Sequence, residues 1–364
     1  MRKSIIIALA VIMLLPTLAK AGEWYEKIKL KGDFRHRHEL IQEEDREDRN
    51  RWRIRFRISL DADVSECWSV GARLATGSSD PVSTNQTLSD GFATKGFHLD
   101  RAYFDFHPAR IKGLHIIGGK MGLPFAKVQK TELIWDGDLS PEGAALKYKN
   151  KALGRVKVMF GAGFFYITER KAEDDTYMGG AQLGIDVETT EETHLMIGGG
   201  YYDYQQVKDF EGVYDEGDFF GNTHYDDDGT DLYMWDYNLF EVLGEFGVEM
   251  EKVSISVYGN FVTNTDADSL NTGWLFGGTM SHGKGKGGFK LYANYRELER
   301  DAVLGVYTDS DFLGGGTDGK GLEFGASYGV ADKASLGLTY FLNKKGIEEE
   351  VDYKRLQADL AIKF

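Results

Sequence analysis

The fold of this chain is indicated by the stretch Arg51-Trp52-Arg53-Ile54-Arg55-Phe56-Arg57-Ile58-Ser59-Leu60, in which polar and apolar residues alternate without a break. Successive side chains of an extended strand point to opposite faces, so the apolar residues would share one face and the arginines the other. An α-helix, whose period is 3.6 residues, would spread the arginines around its circumference. The stretch therefore predicts a β-strand with one apolar and one cationic face.

The same alternation recurs down the whole chain, in about sixteen segments of strand length. A clear example lies at residues 156–166, where Val156, Val158, Phe160 and Ala162 fall on one face. Short apolar strands alone would also fit a soluble β-sandwich. Repeated strands with one polar and one apolar face are typical of a transmembrane antiparallel β-barrel, whose apolar face meets lipid and whose polar face meets a wet lumen. We therefore predict an all-β fold of this kind.

The connections between these segments alternate between short and long. Short ones lie at about residues 61–67, 108–112 and 150–154, and long polar ones at 77–96, 122–141, 205–231 and 299–320. Bacterial outer-membrane barrels have short periplasmic turns and long extracellular loops. The alternation of connection lengths therefore favours the barrel over the sandwich and predicts that the long loops face the outside of the cell.

The first residues of the chain predict export. Arg2 and Lys3 precede an apolar run, which is followed by Ala19-Lys20-Ala21. This is the pattern of a secretory signal peptide with a small-x-small cleavage site. The alternative, a membrane-anchoring helix, needs about 20 apolar residues, and the run is shorter. We expect a signal peptide at residues 1–21 and an outer-membrane β-barrel pore at residues 22–364.

Composition narrows the function classes. The net charge of −15 argues against nucleic acid as a partner, because nucleic-acid binding requires basic patches. The single cysteine, Cys67, excludes an intramolecular disulfide and any multi-cysteine metal site. The chain contains 45 Gly, 19 Tyr and 22 Phe. Glycine and aromatic residues together suit a barrel with aromatic girdles at both membrane interfaces.

Several segments resemble the putative porin family of Gram-negative bacteria. They are Arg51–Arg57, residues 74–88, Gly118-Gly119-Lys120-Met121-Gly122-Leu123-Pro124-Phe125, and the run from Trp135-Asp136-Gly137-Asp138 to Leu146. The resemblance is dense over residues 24–150 and only architectural beyond them. In addition, a last strand that ends in Phe364 resembles the C-terminal signature of outer-membrane barrel proteins.

The resemblance implies a water-filled channel in the cell outer membrane, through which small hydrophilic solutes or ions diffuse passively. Such a channel contacts outer-membrane lipids and lipopolysaccharide and uses no cofactor. A homotrimer is expected by analogy with other porins of this strand number. The Gly-Lys-Met-x-x-Pro-Phe element is similar, more distantly, to phosphate-selective porins. The loops carry no dense lysine run of the kind those channels display, so the similarity leaves an anion or phosphate channel as an alternative only.

Six basic residues are predicted to line the pore, because alternation turns them toward the lumen. They are Arg53, Arg55, Arg57, Arg73, Arg101 and Lys120. The loop 122–141 carries Glu132, Asp136 and Asp138, and we expect it to fold into the lumen with its carboxylates toward this basic wall. A transverse field would then orient polar solutes at the constriction. Alternatively, the arginines pair locally with Asp61, Asp100 and Asp105 and mainly hold the strands together.

The candidate metal sites are weak, and none is predicted. The loop 205–231 contains Asp226, Asp228 and Asp231, but aligning Gly229 with the invariant glycine of a calcium loop puts His224 at the first ligand position and Trp235 at that of the bidentate glutamate. A solvated acidic loop is the better interpretation. His36 and His38 share a strand face, yet no third ligand accompanies them, so they are interpreted as polar residues at the membrane interface.

Two other functions remain open at this point. A hydrolase built on a barrel would need a nucleophile with a base, and the eight histidines that could supply the base are scattered over most of the chain. We therefore predict that the protein is not an enzyme. A non-conducting structural barrel, with a plugged lumen, is the second alternative to the channel.

Overall fold

The structure is a computed structural model that describes residues 27–129 and 131–364. The expected signal peptide, residues 1–21, lies outside these residues and stays a prediction. In the described part of the chain, no helix is long and apolar enough to cross a membrane.

Sixteen antiparallel strands close into one barrel, as the sequence predicts. Their bounds are β1 Ile28–Glu43, β2 Arg49–Asp63, β3 Trp68–Thr76, β4 Phe97–Phe106, β5 Leu114–Lys120, β6 Glu142–Leu153, β7 Val156–Thr168, β8 Thr176–Glu188, β9 Thr193–Gln205, β10 Tyr237–Glu249, β11 Val253–Asn264, β12 Thr272–His282, β13 Phe289–Leu298, β14 Gly319–Ala331, β15 Ala334–Lys345 and β16 Val351–Lys363. Each strand pairs with its neighbours in sequence, and β1 pairs with β16 to close the wall. Closure leaves no free sheet edge in the membrane.

The seam between β1 and β16 is sealed by Phe364. Its backbone N–H donates to the Gly32 carbonyl and the Gly32 N–H donates to the Phe364 carbonyl, both at 3.0 Å. The Phe364 ring occupies the space that a Cβ at position 32 would need, and its centroid lies 5.9 Å from that of Phe56. A side chain at position 32 would therefore displace this ring from the seam.

The two faces of the wall differ as a lipid-exposed barrel requires. On β12 the outward Phe276 is 61 % exposed, whereas the inward Leu275 between Phe276 and Trp274 is only 2 % exposed. The outward faces of most other strands also carry large exposed apolar side chains. An apolar outer surface is stable only when lipid covers it, so the alternation found in the sequence corresponds to a membrane-facing and a lumen-facing side.

Three long loops place residues inside the barrel. We call residues 121–141 the first inward loop, residues 206–236 the second and residues 299–318 the third. They share one cluster of buried apolar side chains with lumen-facing residues of the wall. A two-residue strand, Gln86–Thr87, pairs with β2, and a small hairpin, His224–Asp227 with Thr230–Tyr233, projects from the second loop.

Candidate functional site: the constriction of the lumen

Arginines cover the lumen-facing side of five neighbouring strands. We call this surface the arginine wall; its members are Arg35, Arg37, Arg51, Arg53, Arg55, Arg57, Arg73, Arg101 and Arg355. In the register of β1 and β2, Arg35 lies opposite Arg55 and Arg37 opposite Arg53. Like charges directly opposite each other destabilise a sheet, so the wall needs carboxylates or solute anions between its guanidinium groups.

One of these carboxylates comes from the wall itself. Asp33 on β1 accepts a hydrogen bond from Arg55 Nε at 3.0 Å and from Arg57 Nε at 2.8 Å. A carboxylate shared by two guanidinium groups offsets part of their mutual repulsion. Asp33 therefore holds Arg55 and Arg57 side by side, with part of each guanidinium free to bind a further group.

The first inward loop occupies that position through Asp138. Arg57 Nη1 donates to Asp138 Oδ1 at 2.9 Å, and Arg55 lies 3.7 Å from the same oxygen. The Thr84 backbone N–H and hydroxyl donate to the other carboxylate oxygen at 3.2 and 2.8 Å. Burial alone would raise the pKa of Asp138, but the charges of Arg55 and Arg57 lower it to about 2. Asp138 is thus an ionised anchor on the arginine wall.

Arg73 and Arg101 lie beside the end of the same loop. Arg73 forms an ion pair with Asp100, and Arg101 Nε donates to the Ser140 hydroxyl at 3.0 Å. The Ser140 hydroxyl in turn donates to Asp100 at 3.2 Å. Arg73 therefore pairs locally with Asp100, whereas Arg55 and Arg57 bind both a neighbouring strand and a loop.

Lys120 is separated from the arginine wall. In the register of β4 and β5 it lies opposite Ala102, which shares the outward face of β4 with the exposed Phe104. Its ammonium group is 2.7 Å from Glu142 at the extracellular end of β6. Lys120 therefore lies at the extracellular rim of the barrel, where it lines the same open space as Asp100 and Asp138.

The third inward loop binds another part of the arginine wall, which the sequence did not predict. Asp311 lies 3.0 Å from Arg37 and 2.6 Å from Arg355. Asp359 holds Arg37 with bonds of 2.7 and 2.8 Å, and Glu39 binds Arg355 at 2.9 Å. The apolar run Ala302-Val303-Leu304 is unusual in a long polar loop, and it is the sequence signal that could have indicated an inward position.

Glu132 and Asp136 of the first loop lie on its other side, near Asp309 of the third loop. Carboxylate oxygens of all three residues are within 4.8 Å of one another. Ser310 N–H donates to Asp136 at 3.0 Å, the Asp136 N–H donates to the Tyr307 carbonyl at 2.8 Å, and Asp309 is 2.9 Å from Arg296. Burial, with the charge of Asp309, raises the pKa of Asp136 to about 8 and that of Glu132 well above its ordinary value. The folded protein therefore favours the protonated forms of these two acids.

Apolar packing fixes the first inward loop to the far wall. The Trp135 ring lies 5.1 Å from that of Phe125 and 4.4 Å, edge to face, from that of Tyr202. The Trp135 indole N–H donates to the Tyr204 hydroxyl at 3.0 Å. The loop therefore spans the lumen, bound by charge to the arginine wall and by aromatic packing to β9.

Open space remains on both sides of the inward loops. An outer cavity of about 850 Å³ is lined by Asp100, Asp138 and Trp135 among others. An inner cavity of about 650 Å³ is lined by Asp33, Arg35 and Arg57 among others. Two wide spaces separated by a charged narrowing are the arrangement in which the narrowest section decides what passes.

Two groups of side chains in the described residues have the spacing of metal ligands. One is Glu132, Asp136 and Asp309, and the other is Asp105, His107 and His115. The weak candidates Asp226, Asp228 and Asp231 are not among these groups. They lie on the exposed hairpin of the second loop, where Asp226 accepts a turn hydrogen bond from Gly229 N–H at 3.2 Å.

Comparison with protein families identifies the chain. The family model described as "Putative porin" matches residues 40–238 and 212–364. The chain belongs to this porin family. The match extends over the half of the chain beyond residue 150, where the sequence resemblance was only architectural. The protein is therefore an outer-membrane porin channel.

Solved outer-membrane proteins share the fold of this porin. Pseudomonas putida OprB, solved at high pH, has a TM-score of 0.61 at 12 % identity, over 93 % of this chain and 95 % of that one. Salmonella typhi OmpF in complex with daunomycin has a TM-score of 0.56 at 10 % identity, over 93 % and 97 %. The trimer form of Vibrio cholerae OmpT has a TM-score of 0.53 at 12 % identity, over 93 % and 99 %. No curated protein sequence matches the chain significantly.

Proposed function

We propose that this porin passes small hydrophilic solutes and ions by passive diffusion, and that it selects them where the arginine wall faces Asp138 and Asp311. The observation that carries this proposal is the contact of Asp138 with Arg55 and Arg57, at a narrowing between two open cavities. Charges of opposite sign across a narrow aqueous space orient dipolar solutes and raise the cost of passage for apolar ones. No covalent step and no cofactor are involved.

The wall favours anions over cations, because its arginines outnumber the carboxylates that bind them. Arg35 lines the inner cavity, and its hydrogen bond goes to the neutral amide of Asn85. Among the described residues no carboxylate lies within salt-bridge distance of Arg35. A guanidinium group without a direct ion pair, beside an aqueous cavity, is an attractive site for a passing anion, including phosphate.

The test is a reversal-potential measurement in a salt gradient across a planar bilayer. The wild-type porin should give stable conductance steps with anion preference. Arg55→Glu combined with Arg57→Glu should shift the reversal potential toward cations. The matched control is Arg49→Glu with Lys171→Glu, which makes the same change of charge at exposed positions. Equal shifts in the two double variants would remove the arginine wall from the constriction.

A non-conducting structural barrel is the second candidate, and the apolar cluster favours it. Side chains of all three inward loops, including Trp135, Phe219 and Val303, are packed together inside the barrel. A lumen closed by such packing would pass no ions. Absence of conductance from a folded, heat-modifiable barrel would support this candidate and contradict the channel.

Export and assembly complete the proposal. The signal peptide at residues 1–21 would direct the chain to the periplasm and be cleaved before Gly22. A homotrimer is supported by the trimer form of Vibrio cholerae OmpT, which shares the fold. Cross-linking of the porin in outer-membrane vesicles should give a species of three chains, and N-terminal sequencing should begin at Gly22. Detection of a monomer alone would contradict the homotrimer, and an uncleaved chain would contradict the signal peptide.

A further inference from the structure

A second cluster of polar side chains lies at the periplasmic end of the lumen. Asp105 belongs to the end of β4, His107 follows that strand, and His115 is the second residue of β5. Phe106 pairs with Ile116, so His107 and His115 lie opposite each other across the hairpin, with Asp105 as the diagonal neighbour. All three side chains point away from the lipid face, since Phe104 and Ile116 are exposed on that face.

The backbone holds this cluster in place. The His107 N–H donates to the Cys67 carbonyl at 2.9 Å, which ties the end of β4 to the neighbouring turn. Asp105 and His115 are held by the ladder between β4 and β5. Side chains that project from paired strands have their Cβ positions fixed before any ligand arrives, so binding an ion would cost little backbone ordering.

The ligand atoms of the cluster converge. One atom from each of Asp105, His107 and His115 lies within 4.8 Å of the other two. His115 Nδ1 is 2.8 Å and His107 Nδ1 is 3.9 Å from the Asp105 carboxylate. His107 Nδ1 is buried and has no hydrogen-bond partner. A buried ring nitrogen without a partner costs free energy that an incoming ion would recover.

We propose that Asp105, His107 and His115 bind a divalent transition-metal ion, with Zn²⁺ as the simplest case. Two imidazoles and one carboxylate are a ligand set suited to Zn²⁺, Cu²⁺ or Ni²⁺ and unsuited to Mg²⁺ or Ca²⁺. Zinc ligands lie at about 2.0–2.2 Å from the ion, hence about 3.3 Å from one another, which small side-chain rotations achieve here. The side chains of Asp105, His107 and His115 are 20 %, 29 % and 40 % exposed, so water can complete the coordination.

The surroundings set a limit on the affinity. Lys147 lies opposite His115 in the register of β5 and β6, and its charge repels a cation. Asp63 and Asp61, at the same end of the barrel, act in the other direction, although each also faces a lysine. We therefore expect weaker binding than at a closed structural zinc site.

The chain supplies its own matched control. His36 and His38 are also two residues apart on one strand face, but both face outward against the Trp52 ring, at centroid distances of 5.0 and 4.6 Å. No carboxylate joins them in the metal-ligand groups of the described residues. His36 and His38 are therefore a pair of histidines without a carboxylate, whereas His107 and His115 are a pair with one, Asp105.

The experiment is a calorimetric titration of the refolded porin with Zn²⁺ alone, together with Cu²⁺ electron paramagnetic resonance. We expect one ion per chain and a Cu²⁺ spectrum with two nitrogen ligands. His107→Ala and His115→Ala should each weaken binding by about tenfold or more and remove one nitrogen. His36→Ala with His38→Ala should leave both measurements unchanged.

Asp105→Asn keeps the shape of the residue and one acceptor oxygen while removing its charge. We expect this variant to fold as a heat-modifiable barrel and to bind Zn²⁺ about tenfold or more weakly than the wild type. Absence of saturable Zn²⁺ binding to the wild type would overturn the proposal. Equal affinity of the wild type and the His107, His115 and Asp105 variants would also overturn it, because the ion would then be bound elsewhere.

Discussion

The two sides of the first inward loop place similar acids in opposite settings. Asp138 lies against Arg55 and Arg57, and its pKa falls to about 2. Asp136, two residues earlier, lies with Glu132 near Asp309, and its pKa rises to about 8. The spacing of acids along a loop therefore does not reveal which of them carries charge. That is decided by the residues that the folded barrel brings opposite to each of them.

The parts of the barrel that hold the two sides of the first inward loop also differ, one being charged and the other apolar. On the arginine side, carboxylates from two loops and from neighbouring strands offset part of the positive charge. On the opposite side, Trp135 and Phe125 pack with Tyr202 in a dry cluster. Apolar packing loses stability when atoms are removed, whereas the charged side responds to salt, pH and reversal of charge.

The largest effect is expected from Trp135→Ala, which would break the apolar side. Trp135 is 3 % exposed and contacts two aromatic rings, so its removal should weaken the docking of the loop by about 3–5 kcal/mol. Limited proteolysis and single-channel noise should both increase. Phe92→Ala is the control, because Phe92 is fully exposed. A quiet, protease-resistant channel in the Trp135 variant would show that the loop is held mainly by charge.

Asp138→Asn tests the charged side of the same comparison. It leaves Arg55 and Arg57 without the loop carboxylate, at a cost of about 3 kcal/mol, the lower end for a buried pair because Asp33 remains between them. The added positive charge should increase anion preference in the reversal potential. A shift toward cations would contradict the assignment of Asp138 to the constriction. Asp90→Asn, on an exposed loop, serves as the control.

Asp136 and Asp138 should lose their stabilising contributions at opposite ends of the pH scale. Folding raises the pKa of Asp136, so its stabilising contribution is complete below its ordinary pKa of 3.8 and is lost as pH rises through about 8. Folding lowers the pKa of Asp138, so its contribution is present above 3.8 and is lost as pH falls through about 2. Hydrogen exchange of the first inward loop should therefore accelerate toward high pH beyond the intrinsic rate.

Asp136→Asn sharpens this test. An amide cannot ionise and can still accept the hydrogen bond from Ser310 N–H, so the alkaline loss of protection should be smaller in this variant, with only the part due to Glu132 remaining. Persistence of the same pH dependence in the Asp136 variant would assign it to another group.

The smallest effect is expected from Lys120→Glu. Lys120 lies at the rim, 32 % exposed, and its pair with Glu142 contributes about 0.5 kcal/mol or less. The reversal potential of the Lys120→Glu variant should stay close to that of the wild type, in contrast to that of the variant with Arg55→Glu and Arg57→Glu. A shift as large as that of the double variant would place Lys120 at the constriction together with Arg55 and Arg57.

Prediction of the site from the sequence was partial for identifiable reasons. Arg53, Arg55 and Arg57 were placed on one strand face by alternation, and Arg35 and Arg37 carry the same signal on β1. Arg355 comes from the other end of the chain, next to β1 only because the barrel closes. The third inward loop was not predicted to bind the wall, since its polar length alone resembles that of any extracellular loop. The pore-lining roles of these residues remain predictions.

The sequence by itself determined the barrel, the number of its strands and the faces of its side chains. The reason is local, because the two-residue period of a strand follows from backbone geometry and the loop lengths are read directly. Only the tertiary structure decided that Asp138 meets Arg57, that Asp311 meets Arg37 and Arg355, and that Asp136 meets Asp309. These contacts join residues far apart in sequence, and barrel closure with loop packing fixes them together, so no local pattern encodes them.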